Sequence, residues 1–255
     1  LTEIPDWSRV AKRLRSRFAD QIFKPQEERM KRRLYKSYVA AISLFALGVC
    51  VSAAQADDKA TAEETVTSAA KTFNTFVADP DMTWFRDHIK NAKAVMIVPQ
   101  LVKAGFIFGG SGGTGVVSVH DDATGDWSYP SFATVGSVSW GLQAGAEAAE
   151  VVLMAMTVKG RDSLLSTKAQ LGADASVAAG PVGAGAQAAT VDILQFSRSK
   201  GIFGGLTLEG SVVGVREKLN HAYYGQPVQP VDILISRTVT NPQAAPLLKA
   251  LAAGK

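Results

Sequence analysis

The sequence predicts an α+β fold: a strongly curved antiparallel sheet or barrel with Gly-kinked hairpins, flanked by N-terminal helices and a few short helices. Three observations carry that expectation. Apolar residues recur at helical spacing between 59 and 90 and again near the C-terminus. Between 101 and 218 short β-branched runs alternate with glycine and turn residues. Two glycine-centred segments in that region repeat one another, as the sharp bends of a curved sheet require.

Taken in order, residues 59–78 form a helix, with Ala62, Val66, Ala69, Ala70, Phe73, Phe76 and Val77 on one face and Asp79-Pro80 as its stop. A second, short helix runs from Asp81 to Lys90. Ala94 to Val98 is a strand closed by Pro99. Val116 to His120 and Trp127 to Tyr129 read as a hairpin around a turn at 121–126. Further strands are expected over Ser131–Leu142, Glu150–Met156, Ala188–Ser197 and Ile202–Val215. A helical turn or two is expected at Arg161–Thr167, and a helix at Pro246–Ala252. The small residues of Gly172–Gly185 suit close backbone approach. The repeat aligns Lys103, Gly105, Phe106 and Gly109-Gly110 with Lys200, Gly201, Ile202-Phe203 and Gly204-Gly205, and each copy leads into a Val-Val-x-Val run. Gly109, Gly110, Gly204 and Gly205 are therefore the expected structural glycines at the kinks, and a Cβ on Gly110 or Gly205 would cost about 1 kcal/mol or more wherever φ is positive.

Charge divides the chain. Residues 1–56 carry 11 Lys and Arg against 5 Asp and Glu, whereas residues 57–255 carry 16 against 18. The net charge of +4 thus belongs to the leader, and the body lacks the basic surface that nucleic acid needs. From Met30 the chain shows a positive segment (Lys31, Arg32, Arg33, Lys36), an apolar run from Val39 to Val51, and the small-x-small site Ala54-Gln55-Ala56. These are the three parts of a secretory signal peptide. The expected organisation is an upstream extension at 1–29 outside the natural protein, a signal peptide at 30–56 and a single domain at 57–255. Acylation of Cys50 as a lipoprotein and an uncleaved anchor are the alternatives. The expected location is periplasmic or secreted, or envelope-associated if Cys50 is acylated.

The chemistry of the chain points away from catalysis. Gly109 to Gly115 is glycine-rich but leads into a strand pattern, whereas a dinucleotide fingerprint opens a helix. No Gly-x-Ser-x-Gly elbow occurs. The single Cys lies in the leader, and His88, His120 and His221 have no partner at ligand spacing. His120-Asp121-Asp122 could hold a cation, but reads more simply as an acidic turn. Glu147 and Glu150 could form an acid/base pair, but one of them suits better as a partner for Lys or Arg. No metal and no cofactor are expected.

The runs VPQLVKAGFIFGGSGGTGVVSV, DWSYPSFATVG, WGLQAGAEAAEVVLM, LGADASVAAGPVG, SRSKGIFGGLTLEGSVVGV and HAYYG resemble the SYLF domain family over roughly residues 60–240. The resemblance implies binding without catalysis. SYLF domains bind lipid, with phosphoinositide preference in eukaryotic members, and yeast members bind actin. In eukaryotic members a basic N-terminal segment contributes to these contacts. Here that segment is acidic, with Asp57, Asp58, Glu63 and Glu64 against Lys59 and Lys71, so those two specificities do not carry over. The expected function is that of a non-enzymatic lipid-binding protein of the bacterial envelope. The alternative is a structural or adaptor protein that binds protein partners, like an actin-binding module. The expected lipid-binding residues are Lys103, Phe106, Arg198, Lys200 and Phe203, aromatic groups beside cations at a membrane interface. Lys103, Arg198 and Lys200 are expected to act as one basic cluster.

Overall fold

A computed structural model describes residues 57–105, 108–140, 145–183, 190–199, 202–203 and 206–254. The expected signal peptide at 30–56, with Cys50, falls outside the described residues, as do Phe106, Lys200, Gly204 and Gly205.

The chain opens with helix α1 at 57–78, which buries Ala62, Val66, Ala69, Phe73 and Phe76 along one stripe. Asp79 ends it and caps the next turn, its carboxylate accepting from the Asp81 amide at 3.0 Å. A 3₁₀ turn at Pro80–Met82, helix α2 at Thr83–His88 and a second 3₁₀ turn at Ile89–Asn91 follow. Arg86 of α2 donates to the carbonyls of Val77 and Asp79, which fixes the corner between the helices.

Among the described residues nine strands make one sheet in the order β5-β9-β3-β2-β1-β4-β7-β6, with β8 beside β7. They are β1 (Ala94–Gly105), β2 (Phe108–Val119), β3 (Ser131–Trp140), β4 (Gly145–Ala155), β5 (Lys168–Gln170), β6 (Val177–Ala179), β7 (Ile193–Ser199), β8 (Ile202–Phe203) and β9 (Val212–Val215). All pairs are antiparallel except β6 with β7. The sheet is strongly curled, and the expected α+β class holds. Helix α3 (Val158–Leu165) joins β4 to β5, and α4 (Glu217–Tyr224), α5 (Pro230–Leu234) and α6 (Ala245–Ala253) complete the chain.

The sheet has a core on each face. On one face α1, α2, α4 and α6 pack Phe73, Phe85, Leu219 and Leu247 against Ile97, Phe132, Val152 and Phe196. Phe85 meets Phe196 edge to face at 5.1 Å and Phe73 at 5.6 Å. On the other face Met96, Val98, Val135, Val151 and Ile193 meet Leu164 of α3, Leu171, Leu208, and Ile233 and Leu234 of α5.

Several expectations change. Pro99 does not close β1. The register with β2 shifts between Ile97 and Gln100, and that with β4 between Val98 and Leu101, so Pro99 sits in a bulge read by both neighbours. A bulge is where a central strand tolerates a residue without an N–H. Gly110 lies in the regular β2 ladder opposite Ala104 and Val138, without positive φ. The glycines that the bulge demands are Gly115 and Gly113. A Cβ on Gly115 would stand 2.2 Å from the Ile97 carbonyl oxygen, and one on Gly113 2.6 Å from that of Gln100. The hairpin expected around 121–126 is reduced to one bridge, His120 with Trp127. The long strand expected over 202–215 breaks in two, because the Gln195 side chain bonds the Leu206 carbonyl and the Leu208 amide and draws 206–208 against β7. Both repeat copies do form antiparallel hairpins, β1 with β2 and β7 with β8. The second Val-Val-x-Val strand, β9, then crosses to the opposite side of the sheet, beside β3.

Candidate docking surface

The helices on the α1 face stop partway along the strands. Thr72 of α1 donates to the Glu150 carboxylate at 3.0 Å, which marks the level at which α1 crosses β4. Beyond it, β1, β2, β3 and β4 continue as a bare sheet end. Residues directly opposite in the ladder share a face. One row on the α1 face is therefore Ala148, Val102, Gly112 and Gly136, and the next holds Ala104, Gly110 and Val138. These two rows carry no charge and no hydrogen-bonding side chain. Val138 is 92% exposed and Val102 is 44% exposed. On the reverse face the row between them is Glu147, Lys103, Ser111 and Ser137, with the Ser111 and Ser137 hydroxyls bonded at 2.8 Å. The sheet end is thus apolar on one side and polar on the other.

Of the residues expected to form one basic cluster, Lys103 and Arg198 stand on opposite faces of the sheet, and Lys200 lies outside the described residues. Lys103 stands on the polar face. Arg198 shares the α1 face with Phe196 and pairs with Glu150 at 3.3 Å, so its charge is neutralised and it ties β7 to β4 beneath α1. Phe203 is opposite Arg198 in the short β7–β8 ladder. Gly109 pairs with Gly105 and Ser139 in the ladder of the same sheet end. The residues that sequence reasoning missed are Val102, Ala104, Val138 and Ala148. Their period-two spacing within each strand was visible, but their convergence depends on register across three pairings.

The remaining candidates are structural. Glu147 and Glu150 point to opposite faces and make no pair. In the acidic turn Asp122 binds Lys93 at 2.6 Å and Asp121 binds Arg237 at 3.5 Å. The Ala123 amide and Arg237 hold the Asp121 carboxyl below its ordinary range, and Lys93 does the same for Asp122. Among the described residues no three His, Cys, Asp or Glu side chains gather as a metal site. Asp192 is held at about 2 by hydrogen bonds from the Thr157 hydroxyl and from the Ser176 amide and hydroxyl. Thr157 in turn caps α3, so this carboxylate is a junction between α3, β6 and β7 and not an acid/base group. Among the described residues no helix is long and apolar enough to cross a membrane.

Comparison with known proteins gives the family. The Ysc84 family model, described as Las17-binding protein actin regulator, matches residues 136–254. Protein YSC84 of Saccharomyces cerevisiae is 33% identical over 197 residues, covering 72% of this chain and 42% of the yeast protein. The chain belongs to the SYLF (Ysc84) family. Two further SYLF relatives are LAS seventeen-binding protein 3 of S. cerevisiae, 33% identical over 65% of this chain and 37% of its own length, and the human SH3 domain-containing YSC84-like protein 1, 29% identical over 64% and 49%. The chain spans less than half the length of these curated relatives. No solved structure matches it. The SYLF family match begins at Gly136, so it takes in Val138, Glu150 and Arg198 but not Val102 or Lys103.

Proposed function

We propose that this chain is a non-enzymatic docking protein whose SYLF domain binds a protein partner. The observation that carries this reading is its membership of a family whose described members are named for protein partners, Las17 among them. The geometry is compatible with docking: Asp79 caps a turn, Glu150 pairs with Arg198 and Asp192 joins α3 to β6 and β7, while an uncharged sheet end is left open. The test places a photo-crosslinking amino acid at Val138, with Lys168 on β5 as the distant control. A discrete protein adduct from position 138 alone supports the reading, and equal adducts from both positions oppose it.

A second reading, a phospholipid surface as partner, is favoured by one specific observation. The exposed rows at Val102 and Val138 are apolar on one side and backed by Lys103, Glu147 and serines on the other, the two-sided character of elements that lie in a membrane interface. We place the protein outside the cytoplasm, in the periplasm or secreted, on the strength of the leader at 30–56. Mass spectrometry of the protein from its host should find Asp57 at the N-terminus, and a diacylglyceryl group on Cys50 would instead make it a lipoprotein.

A further inference from the structure

We infer that the groove between α3 and β5 is a binding site for a short free peptide, a tripeptide with both termini charged, which pairs with the edge of β5 through its middle residue. The site belongs to the β5 margin of the sheet and shares no residue with the β1–β4 sheet end.

The groove has a volume of about 590 Å³, within the range of small-ligand sites. Helix α3 lines it with Lys159, Asp162 and Ser163, and β5 and the turn after it line it with Lys168 and Asp174. The first recognition element is backbone. β5 stands at one end of the strand order. Its odd-numbered residues bond β9: Leu171 donates to the Ser211 carbonyl at 2.9 Å, and the Thr167 carbonyl accepts from Val215 at 3.2 Å. Successive residues of a strand direct these groups to opposite sides, so the N–H and C=O of Lys168 point away from β9. Neither has a partner among the described residues. Gln170, the next residue to face outward, is closed. Its N–H donates to the Asp174 carboxylate at 2.6 Å, and its carbonyl accepts from the Asp174 amide at 2.9 Å. The edge is thus open for one residue, too short for a protein strand to zip along and enough for a small peptide.

That opening sets the length of the ligand. In a hydrogen-bonded antiparallel pair, one residue exchanges both its N–H and its C=O with the residue opposite. A free amino acid has no amide, and a dipeptide carries its amide N–H and carbonyl on different residues. The middle residue of a tripeptide is the first to carry both. Antiparallel addition then brings the peptide's amine towards Asp174 and its carboxylate towards the start of β5. The charges match this direction. Asp174 uses Oδ2 for Gln170, and its Oδ1 has no partner among the described residues. The Lys168 ammonium is exposed and makes no ion pair among the described residues. An extended tripeptide spans about 10 Å, and the eight residues of α3 run about 12 Å alongside it, so both charged ends stay within the groove.

The test titrates the full chain, labelled with nitrogen-15, with L-trialanine and follows the amide shifts. The amides of Ser163, Lys168 and Asp174 should move in one saturating phase, that of Lys168 downfield as its N–H takes the peptide carbonyl, and that of Val138 should stay. Dialanine should bind about fivefold more weakly, since it loses one of the two backbone bonds. N-acetyl-trialanine amide keeps the peptide groups, loses both charges and should bind about tenfold more weakly. Free alanine should move none of these amides at the concentration at which trialanine saturates. Asp174→Asn keeps an acceptor for Gln170 and removes the negative charge, and Lys168→Gln keeps the backbone and removes the positive one. Each should weaken trialanine about threefold, with unchanged Val213 and Val215 amides showing that the β5–β9 ladder is intact. No saturable shift with trialanine overturns the site, and saturable shifts centred on other residues overturn its place. Equal affinity for trialanine and the blocked peptide, or unaltered affinity in both variants, overturns the charged tripeptide as its ligand.

Discussion

Gly112 and Gly115 belong to one glycine-rich run and answer to opposite demands. A Cβ at Gly112 meets nothing within 4 Å, whereas one at Gly115 would run into the backbone of Ile97 at the Pro99 bulge. Gly115→Ala should lower stability by about 2–3 kcal/mol, the range of forced overpacking. Gly112→Ala should stay within about 0.5 kcal/mol of wild type. Urea midpoints measure both. The sequence displays the run but not the carbonyl that crowds it, because the bulge lies in a different strand. Asp192 makes a comparable point. Its three donors come from residues 16 and 35 positions away, so only the fold brings them together. Its folded-state value of about 2 lies below the ordinary 3.8. The stability it contributes is therefore complete above about pH 4 and is lost as pH falls towards 2. Asp192→Asn should cost about 1–2 kcal/mol at pH 7, because one amide N–H must face a donor, and should flatten the acid limb of a stability–pH profile.

Among the elements, length alone did not decide legibility: the twelve-residue strands β1 and β2 were read only over 94–98 and 116–120. Helix α1 and strand β3 were read nearly to their ends because their apolar periodicity is uninterrupted. Helices α4 and α5 were not read. They are eight and five residues long, and α4 is polar on much of its surface. β1 was cut short at Pro99 because the usual meaning of a proline, the end of a strand, was overridden by a bulge. The packing of α1 and α2 onto the sheet runs through one aromatic group, Phe73, Phe76, Phe85 and Phe196. Phe85 is the member that touches all the others. Phe85→Ala should cost about 3–4 kcal/mol and should speed amide exchange in α1 more than in β2, as read by hydrogen exchange.

For the whole molecule, strand order predicts a gradient of local stability. β1 is flanked on both sides over its full length by β2 and β4, whereas β5, β6 and β8 are two- or three-residue strands at the margins. Amides of β1, β2 and β4 between 94 and 98, 115 and 119, and 151 and 155 should exchange slowest, and those of β5 and β6 fastest. Uniform exchange across the sheet would refute this. The family was legible from the order of its motifs, but the proposed docking face was not. It unites positions 102, 138 and 148, and no one-dimensional pattern records that they stand side by side.

The two rows beyond Glu150 hold residues that meet the outside, and the rows before it hold residues that meet the helices. Both sets lie on the same four strands, yet no row serves both purposes. Substitutions at 102, 104, 138 or 148 can therefore accumulate without disturbing Ile97, Phe132, Val152 or their neighbours. A lineage, or a protein engineer, can rewrite what this end of the sheet recognises while inheriting the rest of the domain intact.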